Sequence, residues 1–278
     1  MIRKSQLFLA VAALVGMNAA MAACNTTQWG QGGVTAVVGT PTAGNPTAAV
    51  KRYSGQCGLA ATSAANYVQD GSPAAEASFI ARFYVYPGVT GGSPTVFNAA
   101  SVGTSVPDYN ILSVEFNGTG FNFKNRAGAT AFTLAATASK WYAVEVKYTR
   151  ATNTVDAKVR GNVGAEVTGT GSTFTVDNAA DGVDYVQFGW VSGAATGTVH
   201  VDAYESRRST DIGRLCRGDA NGDLVLNVGD RGAVTSETLG IALASGQPDC
   251  NEDGTINVGD RGCITTRVLA ADNCTTNL

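Results

Sequence analysis

The sequence predicts a mainly β chain: an antiparallel, jelly-roll-like sandwich followed by a small α-helical domain. Residues 24–210 repeat an apolar/polar alternation of period two, the mark of half-buried strands, with no long helical pattern between the runs. The runs are short and separated by Gly, Asn, Pro and Thr clusters, so many one-sided strands must bury their apolar faces against each other in two packed sheets. Beyond residue 213 the pattern changes to a loop-then-helix unit that occurs twice. Composition agrees: 34 of 278 residues are Gly and only 15% are charged, against a usual charged share of roughly 25%.

Taken in order, residues 1–22 read as a secretory signal peptide. Arg3 and Lys4 form its basic start, Leu7 to Val15 its apolar stretch, and Ala20-Met21-Ala22 its cleavage site. The alternative is lipoprotein processing at Cys24. Without the leader, 17 basic residues face 22 acidic ones, a balance that offers nothing to nucleic acid. No later apolar run approaches the ~20 residues of a membrane span. The expected product is secreted, extracellular or periplasmic. Residues 23–212 form the expected sandwich. In 141–148, Tyr142, Val144, Val146 and Tyr148 share one face and Trp141, Glu145 and Lys147 the other; in 184–190, Val186, Phe188 and Trp190 share a face. Similar runs occupy 76–86, 110–116, 119–125, 154–160 and 197–205. A short junction at 206–216 leads to the last domain, 213–278, with helices expected over Val228–Leu243 and Val258–Ala270. Val234 with Leu239, and Ile264 with Val268 and Leu269, are its expected apolar face.

The six cysteines are Cys24, Cys57, Cys216, Cys250, Cys263 and Cys274. None forms a CxxC pair, and an even count in an exported chain reads as disulfides. Cys24 and Cys57 pair by exclusion. For the other four, Cys216–Cys274 clasping the domain ends is one option, and Cys216–Cys250 with Cys263–Cys274 is the other.

The C-terminal repeat carries the chemistry. Aligning 219–240 with 249–270 gives 11 identities in 22 positions. Oxygen-bearing residues recur at loop positions 1, 3, 5, 9 and 12: Asp219, Asn221, Asp223, Asn227 and Asp230, then Asp249, Asn251, Asp253, Asn257 and Asp260. A hard cation such as calcium takes six to eight oxygens. A 12-residue loop offers side chains at 1, 3 and 5, the carbonyl of position 7 (Val225, Thr255), often a water through position 9, and closure by position 12. Two Ca2+ sites are expected. The second is expected to be tighter, because position 6 favours glycine: Gly254 fits, whereas a left-handed Leu224 costs roughly 1–2 kcal/mol. Leu226 and Ile256 at position 8 suit a short pairing between the loops.

This loop-then-helix repeat, closed by aspartate at position 12, resembles the dockerin module over about 216–274. The resemblance implies calcium ligation by the residues just named and docking onto a cohesin-like or cell-surface partner. Recognition would fall at Val228-Gly229 and Thr235-Ser236, and at Val258-Gly259 and Thr265-Thr266; near-identical pairs allow two docking orientations. Leu224, the Val-Gly pairs and the extra cysteines depart from the pattern. A calcium-stapled structural cap is the alternative.

The strand order WYAVEVKYT, TVDAKVRG, DYVQFGWV, TVHVDAYESRR resembles the concanavalin-A-like lectin/glucanase (laminin-G-like) sandwich over about 75–210. Similar domains bind or cleave polysaccharides. A retaining glycosidase needs two carboxylates about 5–5.5 Å apart. The nearest pattern, His200-Val-Asp202-Ala-Tyr-Glu205, lacks the leading acid of Glu-x-Asp-x-x-Glu. On a regular strand Asp202 and Glu205 also face opposite sides, and nothing in the sequence marks a bulge. Glu115 and Glu145 read as facing water. The single histidine, His200, excludes a His-based zinc cluster and reads as a partly exposed strand residue. No catalytic residue is assigned. Trp29, Trp141, Tyr84 and Tyr86 are candidates for stacking on sugar; Trp190 reads as buried. The expected function is a secreted, calcium-binding, non-catalytic protein with a glycan- or surface-binding sandwich and an attachment module. A polysaccharide-degrading glycoside hydrolase and a structural surface protein are the alternatives.

Overall fold

The computed structural model describes residues 30–32, 35–38, 52–104, 106–161, 166–271 and 274. The leader, Cys24 and Trp29 lie outside them. Fourteen strands are described: β1 (Gly30–Gly32), β2 (Thr35–Val38), β3 (Cys57–Ala61), β4 (Asn66–Asp70), β5 (Ser78–Gly92), β6 (Thr95–Ser101), β7 (Tyr109–Phe116), β8 (Gly120–Asn125), β9 (Thr130–Ala135), β10 (Tyr142–Thr149), β11 (Thr154–Gly161), β12 (Val167–Gly171), β13 (Tyr185–Ser192) and β14 (Ala195–Arg207). They form two seven-stranded antiparallel sheets, ordered β1-β4-β13-β6-β7-β8-β9 and β12-β11-β10-β5-β14-β3-β2. Every expected run is a strand. The mainly β fold class, an antiparallel sandwich followed by two short helices, is the one expected.

The pleat explains the layering. Phe79, Ala81, Phe83 and Val85 of β5 and Tyr142, Val144, Val146 and Tyr148 of β10 point into the space between the sheets. Val186, Phe188 and Trp190 of β13 meet them from the other sheet. Phe83 stacks on Phe97 across the gap with ring centroids 4.8 Å apart. Each large side chain removed from water this way is worth about 1.5–3 kcal/mol. The alternate residues of β5 and β10 (Arg82, Tyr84 and Tyr86; Ala143 and Glu145) lie on the outer face of the second sheet, where the C-terminal segment meets it.

That segment holds α1 (Val228–Thr238) and α2 (Val258–Leu269). Asn227 and Asn257 cap them, each in a capping box with Asp230 or Asp260. α1 stops five residues before the expected Leu243. Gly240, at φ 72, turns the chain left-handed, and the Gly240 and Ile241 amides donate back to the Glu237 and Ser236 carbonyls, closing a Schellman cap. The expected apolar face holds for three of its five residues, with Val268 half-buried against the small core. Val234 and Ile264 are buried, but Leu239 and Leu269 are 57% and 81% exposed. Each leucine lies five residues past its buried neighbour, off that face. The buried neighbours one turn on are Glu237 and Arg267. Leu226 and Ile256 are buried, yet no β-bridge joins them among the described residues. The disulfides are Cys216–Cys274 and Cys250–Cys263, which selects the end-clasping option and overturns Cys216–Cys250 with Cys263–Cys274. Cys57 is also disulfide-bonded. No helix among the described residues is long and apolar enough to cross a membrane.

Candidate metal centre and the covered aromatic face

The two loops close in the same way. Asp219 accepts the Gly222 and Asp223 amides through one oxygen (2.9 and 3.1 Å) and the Leu224 amide through the other (2.9 Å). Asp249 does the same with Asp253 (3.1 Å) and Gly254 (2.8 Å). Asp230 accepts the Asn221 and Asn227 amides, and Asp260 those of Asn251 and Asn257. First and twelfth positions thus hold each loop in a ring. Asn227 and Asn257 turn their oxygen to the Gly229 and Gly259 amides at 2.6 Å, which suits a residue that reaches an ion through water rather than directly.

The donor set fits a hard divalent cation. Carboxylate oxygens of Asp219, Asp223 and Asp230 lie within 4.8 Å of one another. Burial, then the neighbouring Asp260, holds the Asp249 carboxyl well above the usual range. Burial likewise pushes Asp260 up to about 6 and raises Asp230. Crowded, buried carboxylates of one sign are stabilised in their ionised form by a cation among them. All the ligand-type groups are oxygens, with carbonyls Val225 and Thr255 at position 7, a set for calcium rather than a soft metal.

Between the ligand positions the loops differ. Loop one has Gly222 at position 4 (φ 77) and Leu224 at position 6 (φ 63); loop two has Glu252 (φ 55) and Gly254 (φ 82). The strain expected at Leu224 is present, and loop two carries the same kind at Glu252. Leu224 is 70% exposed, whereas Glu252 is fully buried. The Glu252 carboxylate accepts from Tyr53 Oη and pairs with the Arg214 guanidinium. Beside it, Arg52 Nη2 donates to Glu237 Oε2 at 2.6 Å, and the Gly55 amide donates to the Gly246 carbonyl at 2.9 Å. A strap at 52–55 is therefore fastened to the C-terminal segment by the buried Arg52–Glu237 ion pair, the Tyr53 hydroxyl on Glu252 and the Gly55 amide.

The strap lies on the outer face of the second sheet. The Tyr53 ring stacks on Tyr84 at 3.6 Å and meets Trp141 edge-on at 5.5 Å. Tyr84 Oη accepts the Leu215 amide at 2.8 Å. Tyr84 and Trp141 are fully buried and Tyr86 is 9% exposed, so the three aromatics expected to stack on sugar are covered by the chain itself. The sequence shows their face but not what lies on it. Trp190 is buried as expected.

The expected separation of Asp202 and Glu205 is also overturned. β14 bulges between them, with Ala203 at φ 48, so that Asp202 pairs with Tyr84 and Glu205 with Arg82, both on the outer face. A non-glycine bulge leaves no sequence signal. Both carboxylates have partners. Asp202 accepts the Tyr53, Ser54 and Ala203 amides at 2.6, 3.0 and 2.7 Å, and burial still pushes it up to about 6. Glu205 pairs with Arg82 and Arg207. Glu145, expected to face water, is 7% exposed and accepts the Ile212 and Gly213 amides of the junction. Glu115 is half-buried and pairs with Lys124 at 2.6 Å. His200 is half-buried against the Tyr86 ring. The residues missed from sequence are Arg52, Tyr53, Arg214, Glu237 and Glu252. A signal existed for two of them: Glu237 and Glu252 stand where the repeat breaks its own identity, opposite Arg267 and Gly222.

No protein-family model matches the sequence, and no curated protein matches it. Among solved structures, the fold is similar to a Trypanosoma rangeli sialidase in complex with 2,3-difluorosialic acid (15% identity, 64% of this chain and 31% of that one, TM-score 0.42). It is also similar to an Aplysia kurodai alginate lyase (10%, 57% and 80%, TM-score 0.37) and to arcelin-5, a lectin-like defence protein of Phaseolus vulgaris (13%, 63% and 90%, TM-score 0.35). The chain spans about a third of the sialidase's length. Likeness at this level carries no argument about activity.

Proposed function

We propose that this is an exported, non-catalytic protein that binds two calcium ions in its C-terminal loops and presents a sandwich for contact with a glycan or surface. The observation that carries it is the paired set of oxygen loops: two rings closed by first- and twelfth-position aspartates, each with three carboxylates that repel one another unless a cation lies among them. Calcium would be held by Asp219, Asn221, Asp223, the Val225 carbonyl and Asp230, with Asn227 through water. In the second site Asp249, Asn251, Asp253, the Thr255 carbonyl, Asp260 and Asn257 take the same parts. When bound, the ion supplies charge neutralisation and loop closure.

The dockerin-like attachment role belongs to the same reading. Val228 and Val258, at the equivalent positions to which the resemblance assigns recognition, are 72% and 74% exposed, so a cohesin-like or surface partner could reach them. Isothermal titration of the full chain with calcium tests the core of the proposal. Two ions per chain are expected, and no binding at millimolar calcium would overturn it. A polysaccharide pull-down without turnover tests the glycan half.

One observation favours the hydrolase alternative: the bulge that brings Asp202 and Glu205 to one face, with the Asp202 carboxyl held near 6. Against it, Asp202 is taken up by the Tyr53 and Ser54 amides of the strap and Glu205 by Arg82 and Arg207 of the sheet. Reducing-sugar release that vanishes in Glu205→Gln would decide for the enzyme.

A further inference from the structure

The repeat is symmetric where it faces an ion and asymmetric where it faces the sandwich. Asp249, Asn251, Asp253 and Asp260 have identical counterparts in the first loop; Glu252 has Gly222. Glu252 lies between two ligand positions, is fully buried, and adopts the left-handed conformation at φ 55. A non-glycine residue persists there when its surroundings hold it. What holds it comes from outside the loop: Tyr53 Oη from the strap and Arg214 from the junction. Tyr53 in turn stacks on Tyr84, and its amide donates to Asp202 at 2.6 Å. The path from the second oxygen ring to the outer face of the sheet is thus one continuous set of buried contacts. The first loop sends no side chain to the strap, since Gly222 has none; it meets the strap through backbone, the Ala220 carbonyl accepting the Gly246 amide and the Gly246 carbonyl the Gly55 amide.

We propose that Glu252 is a positioning residue that couples the second ion ring to the strap, so that calcium in residues 249–260 locks the C-terminal segment over the Tyr84, Tyr86 and Trp141 face. This rests on the calcium reading above and adds to it an intramolecular partner, the chain's own sandwich. Coupling is reciprocal: the docked strap sets the Glu252 backbone in the shape the ring requires, and the filled ring holds the Glu252 carboxylate where Tyr53 and Arg214 meet it. The asymmetry also means that only one of the two orientations of the repeat docks on the sheet.

The test uses the full chain and calcium itself as probe. Calorimetry gives the two dissociation constants, and amide hydrogen exchange at Tyr53 and Ser54 is followed with calcium and with EDTA. Exchange at both amides should rise in EDTA. In Glu252→Gln, which keeps size, and in Tyr53→Phe, which keeps the stacked ring, one of the two calcium steps should weaken by about fivefold or more while the other stays. The calcium dependence of strap exchange should shrink with it. Two bound ions with strap exchange unchanged by EDTA would overturn the coupling and leave the calcium reading intact. No bound ion at all would overturn both.

Discussion

The two oxygen loops are near copies at their ligand positions and reverse each other in the residues between. Loop one places glycine at position 4 and leucine at position 6; loop two places glutamate at 4 and glycine at 6. Both positions are left-handed in both loops. Each loop therefore carries one strained non-glycine residue, at roughly 1–2 kcal/mol. The difference is what the strained side chain does. Leu224 projects into solvent and returns nothing, while Glu252 is held by Tyr53 and Arg214 in a buried cluster. Strain at an ion loop is thus no guide to its strength until the partner of the strained residue is known.

The largest expected effect tests whether both loops hold ions at all. With each ion at a hundred times its dissociation constant, two sites stabilise the fold by about 5 kcal/mol. EDTA should lower the thermal midpoint and the helical circular dichroism of α1 and α2. Reduction of Cys216–Cys274 and Cys250–Cys263 in EDTA should abolish what remains, since removing a native disulfide typically costs about 2–5 kcal/mol. A melting curve indifferent to EDTA would break the comparison at its root.

Next in size is Arg52→Ala, which strands the buried Glu237 carboxylate on α1. Removing one partner of a buried pair costs about 3–5 kcal/mol, read by chemical denaturation. The Arg52 pair joins the strap to the first repeat and the Glu252 cluster joins it to the second. A loss near zero would show that only the second repeat is anchored.

Leu224→Gly sharpens the comparison directly. Relief of the left-handed leucine should tighten loop one by about 1 kcal/mol, close to fivefold by calorimetry, and bring the two dissociation constants together. An unchanged constant would mean that Leu224 is not what separates the loops.

The smallest effect lies outside both loops. Asp202 titrates near 6 in the folded chain, above its unfolded value of about 3.9. The folded state therefore holds this proton more tightly. The resulting stabilisation is complete below about pH 4 and is lost as pH rises through about 6. Asp202→Asn should raise the thermal midpoint relative to wild type more at pH 8 than at pH 5. An equal shift at both values would mean that the carboxyl ionises without cost under the strap.

Much of this was legible in the sequence. Strands β5, β7, β8, β10, β11, β13 and β14 fall on the runs read from the chain, since alternation of residues two apart is a local property. β6 was not legible, because Thr95, Asn98 and Ser101 interrupt its apolar residues every third position, a spacing no strand face has. The ligand positions were legible because a 12-residue ring around an ion is local in the chain. The cover over Tyr84, Tyr86 and Trp141 was not, since Tyr53 and Glu252 are 199 residues apart and nothing in either neighbourhood points to the other.

By itself, then, the chain order determined what short-range geometry controls: which faces of the strands are apolar, where oxygens recur at ring spacing, and where asparagine and aspartate cap the helices. Only the folded chain decided which cysteines met, that a left-handed alanine turned Asp202 and Glu205 to the same side, and that the aromatic side of the sheet was an internal contact. Those outcomes depend on desolvation and packing between segments far apart in sequence, where the partner, not the residue, sets whether a side chain faces water.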